Sequence, residues 1–276
     1  MLMGRNEKLI GHDPAITRGF ALAHNAAYQH CDIDRLMATC SPRGGIWAGL
    51  LPPDQFVVNE THEAVRASYV ELISTFKVMP PRVISMICTD WYACFEVTSS
   101  MIHLPSNQRI DNQAVCLFGN DELGTAVDMA WPLPPGARRL LRRAGGNIRS
   151  ELIDLTAHET RLAGWRQGDI EQAAYGMAET GVFFLPCFDP HDPRRAEGLQ
   201  GRAAYKNWLE QLFARYEVGS IAPLNFQIGD QHVFSETRWH VTDRETGHDL
   251  MFRYALVEIL DAEQVSGLLG FATLLD

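Results

Sequence analysis

His24-Asn-Ala-Ala-Tyr28-Gln-His-Cys-Asp32-Ile-Asp-Arg-Leu-Met37 has an echo further along the chain, at Arg161-Leu-Ala-Gly-Trp165-Arg-Gln-Gly-Asp169-Ile-Glu-Gln-Ala-Ala174. In each copy a polar residue stands eight positions before an Asp, an aromatic stands four before it, and Ile plus an acid follow. Eight and four are helical spacings, so the three side chains lie along one helix face. The Asp then fits the N-cap of a second short helix starting at Ile33 or Ile170. An internal repeat of this kind decides the fold before any other feature does.

Reading outward, the surroundings repeat as well. Ile16–Gln29 and Ile33–Thr39 read as helices. Ile46–Leu51 reads as a short strand or loop stopped by Pro52-Pro53, and Asn59 caps a third helix running to Phe76. After Pro80-Pro81, β-branched and aromatic runs at 83–88, 91–103, 110–118 and 124–131 alternate with turn residues, a strand meander. The second half gives helices at 151–167, 170–177 and 201–213, and strands at 180–185, 222–228, 231–242, 248–260 and 265–274. Helices followed by a strand run make an α+β unit. The expected domains are 1–132 and 151–276, joined by a Pro/Gly/Arg-rich linker at 133–150.

Composition narrows the function classes. The chain has 276 residues, a 46% apolar fraction, 21% charged residues and a net charge of −10. That balance fits globular units and argues against a nucleic-acid partner, which calls for a basic face. The N-terminal Met-Leu-Met-Gly-Arg-Asn-Glu-Lys carries charges where a signal peptide needs an apolar core, and no apolar run is long enough for a membrane span. The expectation is a cytoplasmic protein. The six cysteines form no CxxC pair and read as small buried hydrophobes. Asp189-Pro-His191-Asp192 reads as a surface turn, so no metal site is expected, and phosphate loop, dinucleotide fingerprint and serine elbow are absent from the sequence.

Each half resembles the nuclear-transport-factor-2-like, or SnoaL-like, superfamily, which includes ketosteroid isomerases, scytalone dehydratase, limonene epoxide hydrolase and polyketide cyclases. The resemblance rests on three features: the helix–Asp–Ile–acid stretches at 31–34 and 168–171, Gly201-Arg-Ala-Ala with Trp208, and Arg238-Trp-His-Val-Thr-Asp followed by Thr246-Gly247. It implies two tandem cone-shaped α+β barrels, each a curved antiparallel sheet wrapped on helices around an apolar pocket. It also implies that the copies pack as an internal pseudo-dimer, and that homo-oligomers form through sheet faces.

Within that frame the candidate residues are polar groups at positions that point into a cone. His24 falls where the ketosteroid isomerases carry a substrate-binding tyrosine, and an imidazole there can act as acid or base. Its counterpart Arg161 is suited to clamping an anionic oxygen or covering the helix surface. The family's strand acid matches Ala114 and Ala255, and its general-base Asp has no counterpart, so steroid-type isomerisation is not expected. Two residues earlier on that strand stand Asn112, beside Asp111, and Arg253, a charge in an apolar strand that needs a buried acid or a ligand. Trp131 matches a pocket tryptophan of the isomerases, with Thr273 as its second-half counterpart. Trp47, Tyr28, Tyr69 and Trp165 are candidate pocket walls or core. His240 and Glu96 match each other, facing the cone or a sheet surface.

The functional expectation is an enzyme needing no cofactor, acting on a small hydroxylated aromatic or polycyclic molecule by elimination or dehydration. His24 serves as acid–base group, with Asn112 or Asp111 and Tyr28 orienting it. Trp47 and Trp131 wall the substrate, with Tyr69, Arg161, Trp165, His240 and Arg253 as further binding residues. Lyases of the superfamily acting on lignin-derived diaryl compounds suit such a pocket, though no motif singles them out. The alternatives are an isomerase or cyclase of the same fold, and a non-catalytic binding or assembly module.

Overall fold

A computed structural model describes residues 13–133 and 155–275, apart from 44, 52–54, 60, 122, 192–194, 230 and 262–263. The expected linker therefore falls outside the described residues from 134 onward. The chain divides between Leu133 and Pro134 into two compact units.

The repeated stretch folds the same way in both. Asp13 and Pro14 start α1 (Pro14–His30), with the Asp13 carboxylate accepting from Ala15 N. The helix ends at Cys31 in the left-handed conformation (φ 50°), and Asp32 then caps α2 (Ile33–Met37) by accepting from Arg35 N. In the second unit α4 (Thr156–Gln167) ends at Gly168 (φ 67°), and Asp169 caps α5 (Ile170–Ala173) by accepting from Gln172 N. Gly164 lets α5 pack against α4: a Cβ on it would meet Ala173 N at 2.2 Å. The third helix of the first unit, α3 (His62–Thr75), is capped by Thr61, not Asn59. Asn59 ends β2 (Gln55–Asn59), which pairs with β1 (Ile46–Leu51).

The remaining strands of the first unit are β3 (Phe76–Val78), β4 (Arg82–Cys88), β5 (Tyr92–His103), β6 (Gln108–Asp121) and β7 (Gly124–Pro132). Their order is β2-β1-β7-β6-β5-β3, with β4 also on β5, and β1 runs parallel to β7. The second unit has β8 (Met177–Pro186), β9 (Ala196–Gln200), helix α6 (Arg202–Arg215), and β10 (Tyr216–Ile228), β11 (His232–Asp243), β12 (Asp249–Asp261) and β13 (Gln264–Leu275). Their order is β10-β11-β12-β13-β8-β9, with β8 parallel to β13. Strand β9 lies between the strand expected at 180–185 and the helix expected at 201–213, where the sequence reading places no element. One difference has a local cause. The single edge strand β10 matches both β3 and β4, which are separated by Met79-Pro80-Pro81, since successive prolines cannot donate to a ladder.

A β-bulge recurs at the same place, Ala126 of β7 being the extra residue opposite Gly119 and Asn120, and Ser266 of β13 the extra residue opposite Ile259 and Leu260. Aligning the units on it corrects the expected matches by one residue or more. Arg253 matches Gln113 rather than Asn112, Ala255 matches Val115 rather than Ala114, Trp131 matches Phe271 rather than Thr273, and Glu96 matches Glu236 rather than His240. A one-residue slip exchanges the two faces of a sheet, so these corrections decide which residues point inward.

The inner face of the first sheet carries Phe95, Val97, Ala114, Cys116 and Phe118 against Ala21 of α1. A second cluster joins Ala27, Leu36, Met37, Trp47, Val65 and Tyr69. In the second unit one cluster fills the interior, with Trp165, Phe188, Trp239 and Tyr254 in mutual ring contact between 5.2 and 5.9 Å among most pairs.

Candidate active site

The buried stripe of α1 is Thr17, Ala21, His24 and Ala27, which places His24 at the seam between the two clusters of the first unit. Its ring lies edge-on to Phe118 (5.1 Å) and Tyr28 (5.3 Å). Nδ1 is 2.7 Å from Thr39 Oγ1, and Nε2 is 3.2 Å from both Asp128 Oδ2 and Tyr69 Oη. Tyr69 donates to Asp128 Oδ2 at 2.8 Å and Tyr28 donates to the same oxygen at 3.2 Å.

The hydrogen bonds fit a doubly protonated ring. Thr39 gives its hydroxyl proton to Leu36 O (2.6 Å), so it can only accept from His24, and Nδ1 carries a hydrogen. Tyr69 gives its proton to Asp128, so Nε2 faces two oxygens with nothing to donate and must carry a hydrogen too. This pattern suits an imidazolium at His24. Burial opposes that charge, but Asp128, with a smaller contribution from Cys40, more than offsets it and pushes the pKa up to about 9. Burial and the neighbouring carboxylate raise Tyr28 and Tyr69 well above the usual phenol value, so both remain hydrogen-bond donors at neutral pH.

A small pocket opens beside this group, lined by Cys40, Trp47, His62, Tyr69, Thr125 and Asp128, with room for about one water molecule. His24, fully buried, stands behind Asp128. The pocket thus meets the carboxylate, and the imidazolium positions and neutralises it.

Asp128 was not anticipated, although an Asp inside the apolar run Ala126-Val-Asp-Met-Ala-Trp131 carries the same signal that singled out Arg253. The expected orienting residues lie elsewhere. Asp111 is exposed and bonded to Ser100 Oγ (2.6 Å) and Arg109 Nε (2.9 Å), and Asn112 is half-buried beside it. His24 meets β6 at Phe118, six residues beyond Asn112, which is about 20 Å along a strand. Trp131 is excluded by alternation: Asp128 and Ala130 face α1, so Trp131 points to the other face of β7. Tyr28, Tyr69 and Trp47 do converge, Trp47 lying 6.2 Å from Tyr69 edge-on.

The second unit puts an ion cluster where His24 and its partners stand. Arg161 is buried with Glu258: Nη2 donates to Oε2, Nε donates to Oε1 at 3.3 Å, and Nη1 donates to Tyr175 O at 3.1 Å. His158 Nδ1 lies 3.1 Å from Glu258 Oε1. Burial would raise the Glu258 carboxyl, but Arg161 and His158 hold it down at about 2. Arg161 is therefore matched by an internal acid, which corrects its expected role as a ligand clamp. Trp165 donates Nε1 to Tyr205 Oη (3.0 Å) within the aromatic core. Arg253 donates Nε to Glu236 Oε1 at 2.7 Å, so its partner is a buried acid. His240 is exposed, since Trp239 and Val241 take the inward positions of β11.

In both units a helix pair precedes a strand that runs parallel to the last strand, and a third helix leads into an antiparallel meander that closes on it. Both units have the α+β architecture, a largely antiparallel sheet with its helices, that the resemblance to the NTF2-like superfamily implies. Solved structures similar to this chain include a hypothetical protein of ketosteroid-isomerase-like fold from Catenulispora acidiphila, in complex with trimethylamine. It shares 14% identity over 42% of this chain and 84% of that one, with a TM-score of 0.36. An epoxide hydrolase of Mycobacterium tuberculosis shares 12% identity over 41% and 80%, with a TM-score of 0.36. An NTF2-like protein from Burkholderia xenovorans shares 14% identity over 43% and 87%, with a TM-score of 0.35. No protein-family model and no curated protein matches the sequence.

Proposed function

We propose that the first NTF2-like unit is a cofactor-independent acid–base enzyme, a lyase or isomerase that moves a proton on a small hydroxylated, largely aromatic molecule. The observation that carries this reading is a carboxylate at a pocket wall, backed by an imidazolium and two phenols that converge on one of its oxygens. Asp128 is the group placed to take a proton from a substrate carbon. His24 holds the carboxylate oriented and offsets its charge, and Tyr69, which donates to Asp128 in the free site, turns its hydroxyl to a substrate oxygen as charge develops there. Elimination of water or of a phenol is the favoured chemistry. Substrate entry requires Trp47 or Tyr69 to turn aside, given the room available.

The test is proton exchange. Small phenols and ketones are incubated with the protein in D2O, and deuterium incorporation or loss of water is followed by mass spectrometry. Wild type should accelerate exchange at an acidic C–H, and Asp128→Asn should lower the rate by about 10²–10⁴-fold. No exchange above background with any compound, or equal rates in the variant, contradicts the reading.

A non-catalytic binding or assembly module is the second reading. It is favoured by the saturation of His24, both of whose ring nitrogens have partners inside the protein. On that reading Asp128→Asn changes stability alone.

A further inference from the structure

The bulge in β7 has a consequence for the pocket. Thr125 and Asp128 are three residues apart, a separation that places side chains on opposite faces of a regular strand, yet both line the pocket. The extra residue at Ala126 re-aims them onto one side. Thr125 is directly opposite Asn120 on β6, so the two side chains stand on the same face within about 5 Å at Cβ. Both are buried, at 4% and 0% exposure, and Thr125 Oγ1 and Asn120 Nδ2 and Oδ1 have no hydrogen-bond partner among the described residues.

The second unit is the internal control. Its equivalents of Asn120, Thr125 and Asp128, aligned on the shared bulge, are Leu260, Val265 and Leu268, all packed into or against its apolar core. The same scaffold thus closes with aliphatic side chains in one unit, and in the other presents an amide, a hydroxyl and a carboxylate at those positions. Buried polar groups without partners are uncommon in proteins because each carries a desolvation cost.

We propose that Asn120 and Thr125 form a two-donor seat for an uncharged oxygen, a carbonyl or hydroxyl, of the ligand that enters beside Asp128. A carboxylate ligand is disfavoured, because among the described residues no Lys or Arg lines the pocket and the Asp128 carboxylate on its wall would repel a second one. This inference rests on the reading of the pocket as a substrate site.

The probe is acetone, with acetate as its charged near-isostere, titrated into the ¹⁵N-labelled full chain while the Asn120 side-chain amide is followed by NMR. Acetone should shift that resonance saturably and acetate should shift it at least tenfold less. The double variant Asn120→Leu/Thr125→Val, which installs the second unit's own residues, should melt at or above the wild-type temperature and lose at least tenfold in acetone affinity, read on Tyr69 or Asp128 resonances. Thr125→Ser, which keeps the hydroxyl, should retain the shift. An unmoved Asn120 amide, equal response to acetate, unchanged affinity in the double variant, or its melting below wild type would each overturn the seat. Failure of the proton-transfer reading alone would look different: no deuterium exchange, with the acetone-induced shift intact.

Discussion

Asp128→Asn should reverse the response of the first unit to pH. The folded pKa of His24 is about 9 against 6.5 for an ordinary histidine. At about 1.4 kcal/mol per tenfold change in proton affinity, that difference is about 3 kcal/mol. Because the folded value is the higher one, the contribution is fully present below pH 6.5 and is lost as pH rises through about 9. Removing the carboxylate charge leaves burial as the largest influence on His24, which should then lie below 6.5 and stay neutral at pH 7. Urea denaturation of wild type and variant at pH 6 and pH 10, followed by far-ultraviolet circular dichroism, measures the difference. The destabilisation caused by the variant should be about 3 kcal/mol larger at pH 6 than at pH 10. A gap that does not change with pH would refute the assignment of an ion pair.

The second unit should respond oppositely in acid. Glu258, held at about 2 against an ordinary 4.5, contributes stability above pH 4.5 that is lost as pH falls through about 2, a span of about 3 kcal/mol visible in acid-unfolding curves. Arg161→Met leaves that carboxylate buried without its main partner and should cost about 3–5 kcal/mol in urea denaturation, whereas Arg161→Met/Glu258→Leu should recover most of it. Gly164→Ala drives a methyl into the Ala173 backbone and should lower stability by about 2 kcal/mol or more, measured by the urea midpoint.

The fold was legible because its signal is local. Asp32 and Asp169 cap their helices, and the eight-residue spacing puts His24 and Arg161 on the buried stripes, as helical periodicity requires. The strand register was not legible, because it depends on a bulge at Ala126 and Ser266 that no residue type announces. That slip matched Asn112 with Arg253, Glu96 with His240 and Trp131 with Thr273. Charge inside an apolar strand was a sound signal, since half-buried Arg253 and buried Asp128 both have ionic partners, but only long-range pairing shows that one faces the pocket and the other does not. The partner of Arg161 could not be read either: Glu258 lies 97 residues away in sequence.

The central claim is that His24 is held charged against Asp128 at the pocket of the first unit. Nitrogen-15 NMR of histidine-labelled protein at pH 7.5 tests it without any ligand. Wild type should show a His24 ring with both nitrogens protonated, becoming singly protonated in Asp128→Asn. A singly protonated His24 ring in the wild-type protein at that pH would contradict the account.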